Sequence, residues 1–404
     1  MPEPLPGPAP LYLDACATTP LAPEAWRAME RAWQEGWGNP SSLHGVGVAA
    51  AAALERGRWE LAADLGAAPE EVIWCSGGTE AIQTAVLGSA ATLPAGRLLI
   101  SAVEHPATER AASVLVRRGW SVERLPVDRL GLLRLDALEA LLAPPTRLVS
   151  LIWGQSEVGS LQPLETIGAL CRERGVRLHV DAVQVLGHLP IDWSRLQVDL
   201  LSGAAHKLQG PRGIGLLLAR QGVPLEPLIG GVQEGGRRGG TEPVPLIAGF
   251  AAALRVCNRR LAAHGGLDPL ARLRDQLWAA LRARPGVELL GPEPGEPGRR
   301  LPHHLSVLVR GQTGRPLSGR ALVRALARRQ VACGSGSACT TRAADPGGPA
   351  AGASRVLLAM GYGPEEATAG LRLSVGPWLR QEDLAGLPEL LAAAIEEVEA
   401  APAR

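Results

Sequence analysis

The sequence predicts an α/β fold: a mostly parallel sheet flanked by helices, with a smaller α+β domain at the C-terminal side. Three observations predict it. Short apolar runs alternate with helical patterns through the first half of the chain. From about Val244 that alternation gives way to long alanine- and arginine-rich helices. With 404 residues and 46% apolar content, the chain exceeds the roughly 250 to 300 residues at which a single core stops growing, so two domains are expected.

In chain order, residues 1–10 form a proline-rich tail without a basic segment or an apolar stretch behind it, which is not the pattern of a signal peptide. Strand-like and helical runs then pair up: 71–75 with 79–89, 97–101 with 106–118, and 147–153 with 164–174. Parallel strands need a helical crossover, so the alternation reads as βαβ units. Further strands are expected at 178–181, 198–202 and 213–219. The second domain follows with a proline- and glycine-rich stretch at 291–298, a strand at 304–309 and more helices. The expected domains are 1–255, which carries the site, and 256–404.

Net charge is +1 with acids and bases interspersed, so no basic stripe points to nucleic acid or to an anionic membrane surface. No run approaches the roughly 18 uncharged apolar residues of a membrane span. A cytoplasmic protein acting on small molecules is expected. The six cysteines, Cys16, Cys75, Cys171, Cys257, Cys333 and Cys339, are too scattered for a zinc site or a disulfide scaffold, so reduced thiols and no metal are expected.

Lys207 is the only lysine; the other 40 of the 41 basic residues are arginine. Solvated charge and ion pairing are open to either residue, but a guanidinium cannot give up its proton to become a nucleophilic amine. Lys207 stands in Ala205-His206-Lys207-Leu208-Gln209-Gly210, just after an expected strand, where active sites of α/β sheets gather. Two other segments share that placement. Ser76-Gly77-Gly78-Thr79-Glu80 joins a strand to a helix, where backbone N–H groups and the Thr79 hydroxyl suit a phosphate, although an ordinary helix cap reads the same way. Asp181 ends a strand, with Gln184 three residues on, and a buried carboxylate there suits a protonated pyridine nitrogen. His105 follows the strand at 97–101 and is placed to stack on such a ring, or to be an unremarkable loop histidine.

Taken together, these motifs resemble the class V aminotransferase family of pyridoxal 5′-phosphate (PLP) enzymes, fold type I, and within it the NifS/IscS-type cysteine desulfurases. The resemblance spans nearly the whole chain: Tyr12-Leu13-Asp14 with Ala17-Thr18-Thr19; Gly38-Asn39-Pro40-Ser41-Ser42 with His44; Ser76 to Glu80; Glu104-His105; His179-Val180-Asp181-Ala182 with Gln184; His206-Lys207; Arg238-Gly239-Gly240-Thr241; Ser335-Gly336-Ser337-Ala338-Cys339-Thr340; and Arg372 with Ser374. It implies that Lys207 forms the Schiff base with PLP, that Asp181 pairs with the pyridinium, that Gln184 contacts the ring oxygen and that His105 stacks on the ring. Gly78, Thr79 and His206 would hold the phosphate, joined by Thr241 from a second subunit of a homodimer. Asn39 and Arg372 would bind the substrate L-cysteine, and Cys339 would receive its sulfur as a persulfide and pass it to an acceptor protein, such as an iron-sulfur scaffold or a tRNA-thiolation protein.

The chain departs from the family at Ser156, where an asparagine usually contacts the ring oxygen, at Ala204, where a serine commonly binds phosphate, and at Gln83, usually asparagine. Residues 345–352 look like a glycine-, proline- and alanine-rich insertion. Two alternatives follow: a related lyase acting on selenocysteine or cystine, and a catalytically impaired PLP-binding member acting as a partner subunit.

Overall fold

The computed structural model describes residues 10–296, 298–336 and 352–401. Cys339, nearly all of the 345–352 insertion and nearly all of the N-terminal tail lie outside the described residues.

Among the described residues the strands are β1 (Leu11–Tyr12), β2 (Val72–Cys75), β3 (Arg97–Ser101), β4 (Ser121–Leu125), β5 (Thr146–Ile152), β6 (Arg177–Asp181), β7 (Leu200–Ala204), β8 (Gly215–Ala219), β9 (Val287–Leu289), β10 (His304–Val309), β11 (Val331–Ala332) and β12 (Gly370–Ser374). Seven of them form the main sheet, in the order β2-β8-β7-β6-β5-β3-β4. The run β7-β6-β5-β3-β4 is parallel, and β8 runs antiparallel between β7 and β2. Every residue of β2, β7 and β8 is buried, which is why these strands read as continuous apolar runs rather than as alternating ones.

The expected elements are present with adjusted ends. The helical pattern at 79–89 is a helix Gly78–Gln83, a π-helical segment Thr84–Gly88 and a last turn Ser89–Ala91. The strand expected at 198–202 begins at Leu200. Before it, the Val198 carbonyl accepts from Arg220 Nε (3.1 Å) and the Asp199 carboxylate accepts from the Leu178 N–H (2.8 Å).

The helices Pro23–Glu35, Gly45–Leu65 and Val244–Ala262 pack together, and Leu61, Trp74, Val180 and Phe250 share the first core. The helix Val244–Ala262 runs unbroken through residue 255, and its Cys257 still belongs to that core. A second core gathers around the antiparallel sheet β9-β10-β12 with the helices Leu270–Leu281, Gly319–Arg328 and Leu387–Ala400. Leu13 is fully buried in this second core, and β1 pairs with β11. We therefore place the change of body after the helix Val244–Ala262 and assign residues 11–13 to the second body. Among the described residues no helix is long and apolar enough to cross a membrane.

Candidate active site

The C-terminal ends of β3, β5, β6 and β7 surround a cavity of about 450 Å³, the size expected for a small-molecule site. Gly78, Thr79, His105, Ser156, Asp181, Gln184, His206, Lys207 and Arg372 all line it, although the sequence spreads them over nearly 300 positions.

Lys207 closes the short 3-10 turn Ala205–Lys207 after β7. That turn is clamped by the segment Ala17-Thr18-Thr19: Thr19 Oγ1 donates to the His206 carbonyl (2.9 Å) and accepts from the Gln209 N–H (2.8 Å). Gly210 completes the turn because a Cβ there would meet the Ala205 Cβ and carbonyl oxygen at 2.8 Å. Lys207 Nζ donates to the carbonyls of Cys16 (2.6 Å) and Ala17 (2.9 Å).

Asp181 is buried at the end of β6, and Oδ1 accepts from the Val183 N–H (2.9 Å). Burial pushes its carboxyl up to about 6, against the opposing pull of the Val183 N–H and Lys207. Gln184 Nε2 donates to the Cys16 carbonyl (3.0 Å), leaving Oε1 buried without a hydrogen-bond partner. His105 caps the helix Pro106–Arg117, its Nδ1 accepting from the Ala107 N–H (3.1 Å), so its proton sits on Nε2. Burial, aided by Lys207, pulls its imidazole down to about 4. His206 is likewise held down to about 4 by burial, and its Nδ1 lies 3.2 Å from Thr18 Oγ1.

The glycine-rich segment after β2 opens the helix at Gly78, where an added Cβ would come 2.7 Å from Val183 Cγ2. Glu80 accepts from the Ser76 N–H (2.8 Å) and from Arg238 Nε (3.0 Å), which ties the Arg238-Gly239-Gly240-Thr241 motif to this helix start. Ala204 also lines the cavity, so the missing serine hydroxyl is missing from the site itself. On the opposite side, Arg372 on β12 donates to the Ser156 carbonyl (3.0 Å) and to Asp14 Oδ1 (2.8 Å) and keeps Nε buried without a partner. Its backbone pairs with Gly334, at the base of the segment leading to Cys339.

These residues fit the cofactor the sequence implied. They supply an amine, a buried carboxylate with one oxygen uncommitted, a glycine-opened helix start and an orphaned amide oxygen in one cavity.

Two expected site residues stand elsewhere. Thr241 is exposed and outside the cavity of its own chain. Asn39 is also exposed and outside this cavity, and its Oδ1 accepts from the Ser41 N–H (2.9 Å) within its own turn.

The structure also brings in groups to which the sequence assigned no role. Glu104 and Glu157 line the cavity, and burial pushes them up to about 8 and about 7. Cys16 Sγ lies 3.4 Å from His303 Nε2, and the His303 ring stacks on His188, with centroids 3.7 Å apart. The adjacency of Glu104 to His105 was the one available signal. Nothing local marks Cys16 and His303, which are 287 positions apart.

Comparison with known proteins agrees with this geometry. The family model of the class-V aminotransferases matches residues 11–387. A cysteine desulfurase of Cereibacter sphaeroides is 38% identical over 395 residues, covering 96% of this chain and 97% of the relative. A cysteine desulfurase IscS of Methanosarcina thermophila is 34% identical over 391 residues, covering 96% and 92%. Among solved structures, a NifS-like protein superimposes with a TM-score of 0.83 at 30% identity, covering 96% of this chain and 99% of its own.

Proposed function

Because the chain belongs to the class-V aminotransferase family, as a PLP-dependent cysteine desulfurase, we propose that Lys207 attaches the cofactor and moves the substrate Cα proton, and that Cys339 accepts the sulfur. The convergence of the only lysine with Asp181, His105 and Arg372 in one cavity carries this reading.

Bound PLP supplies an electron sink that stabilises charge developing at the substrate α-carbon. Asp181 would hold the proton on the ring nitrogen, because a buried carboxylate is more favourable beside a cation than alone. His105, neutral and capping its helix, offers a flat face against the ring and cannot add a competing positive charge. The Gly78 and Thr79 helix start, with His206, would hold the phosphate, and Gln184 would contact the ring oxygen, with Ser156 lining the same cavity.

Arg372 holds the L-cysteine carboxylate, with its guanidinium fixed in place by Asp14 and the Ser156 carbonyl. Lys207, anchored on two carbonyls, is placed to take the Cα proton. Cys339, as thiolate, attacks the substrate sulfur: a new S–S bond forms, the substrate C–S bond breaks, and the carbon left behind takes a proton to give alanine. The overall step needs no external oxidant or reductant.

The finer assignments belong to the same proposal. The enzyme works as a cytoplasmic homodimer in which Thr241 of one subunit completes the phosphate site of the other. It passes persulfide sulfur to an acceptor protein of iron-sulfur assembly. The test is to incubate purified protein with L-cysteine and a reductant, beside Lys207→Ala and Cys339→Ser. Alanine and sulfide should form with the wild type alone, and the absorbance of bound cofactor should be lost in Lys207→Ala. A wild type that holds PLP yet forms neither product refutes the reading.

A further inference from the structure

Glu104 follows β3 and buries its whole carboxyl beside the cavity. Oε1 accepts from Ser101 Oγ (2.6 Å) and from the Ile152 N–H (2.9 Å), so it bridges the ends of β3 and β5. Oε2 is equally buried, with the Thr108 hydroxyl beside it. Ile152 is the register partner of Asp181 on β6, which puts a second buried carboxyl on the adjoining strand.

Burial penalises the charge on either carboxyl, and the charge of Asp181 adds to that penalty at Glu104. The hydrogen bonds decide which one keeps its proton. Asp181 has one backbone donor and the charge of Lys207 beside it. Glu104 has only neutral donors, Ser101 Oγ and the Ile152 N–H on Oε1 and the Thr108 hydroxyl beside Oε2, and the charge of Asp181 pushes its carboxyl further up. A carboxyl that faces neutral groups and a second carboxylate keeps its proton in preference to one that faces a cation.

We propose that Glu104 is a positioning residue for the cofactor: a neutral carboxylic acid that ties the His105 turn to the ends of β3 and β5 and leaves Asp181 as the single carboxylate charge at the ring nitrogen. The proposal rests on the cofactor site described above and goes beyond it, since no role there falls to Glu104. The groups facing it are Ser101 from β3, Thr108 from the following helix, Ile152 from β5 and Asp181 from β6. Burial pushes the Glu104 carboxyl up to about 8, so it is neutral at pH 7 and ionises just above.

The test is equilibrium dialysis of PLP from the full-length holoenzyme between about pH 6.5 and 9.5, for wild type, Glu104→Gln and Glu104→Ala, with thermal melts to establish that each is folded. Glutamine keeps both accepted hydrogen bonds and cannot ionise, so Glu104→Gln should hold PLP as wild type does at pH 7. From about pH 7 to pH 9 the wild type should lose about tenfold more affinity than Glu104→Gln, the effect of one linked proton. Glu104→Ala should bind weakly at every pH without that extra step. The proposal is overturned if Glu104→Gln follows the wild-type pH profile, or if it binds as poorly as Glu104→Ala at pH 7. A wild type that takes up no PLP overturns the cofactor site itself, and the proposal with it.

Discussion

Replacing Ala204 with serine should tighten cofactor binding. Ala204 is fully buried at the end of β7 and lines the cavity, and its Cβ stands 3.6 Å from where a Cβ on Gly78 would be. It therefore faces the helix start proposed to hold the phosphate, and a hydroxyl there would add a donor to an anion held by Thr79 and His206, which line the same cavity. One hydrogen bond to a charged group contributes about 1.5 to 3 kcal/mol. That corresponds to a dissociation constant for PLP lower by roughly 10- to 150-fold. Dialysis of the holoenzyme at pH 7, beside Thr79→Ala, gives the measurement: Ala204→Ser should tighten binding and Thr79→Ala should weaken it. An unchanged or weaker constant in a folded Ala204→Ser protein would refute the placement of the phosphate at this end of the cavity.

Three further outcomes follow from the same geometry. Asp181→Asn keeps the side-chain size and removes the charge, so kcat/KM for L-cysteine should fall by roughly 10- to 150-fold, the loss of one charge-assisted contact in the transition state, as steady-state alanine release will show. For Glu104 the folded pKa, about 8, lies above the ordinary 4.5. Its share of stability is therefore complete below about pH 4.5 and is lost as pH rises toward 8, and urea unfolding at pH 5 and pH 9 should show Glu104→Gln gaining on wild type by a few kcal/mol at the higher pH. Burial holds His303 and His304 well below the ordinary 6.5, with His188 and Arg300 as the next causes in turn. Their stability contribution is present above pH 6.5 and lost as pH falls, so acid unfolding should begin at lower pH in His303→Asn.

Much of this fold is legible in the sequence because its signals are local. β3 and β10 begin and end where the apolar runs at 97–101 and 304–309 do. Lys207 was conspicuous because composition isolates it and the strand before it points to the active-site edge. What stayed hidden depends on partners distant in sequence. The N-terminal strand looks like part of the first domain until β11 supplies its neighbour more than 300 residues later. The antiparallel insertion of β8 between β7 and β2 cannot be read from periodicity, because fully buried strands look alike in either direction. The raised carboxyl of Glu104 depends on its burial, on Ile152 and on Asp181, none of which its own segment reveals.

The central claim is that one cavity, built on Lys207, moves sulfur from L-cysteine onto Cys339. It is tested most directly by mass spectrometry of the protein after one turnover with L-cysteine, without reductant. The account predicts one added sulfur atom on the peptide containing Cys339, one alanine released per active site, and neither from Lys207→Ala. Alanine formation with the added sulfur on another cysteine, or with none on the protein, would contradict it.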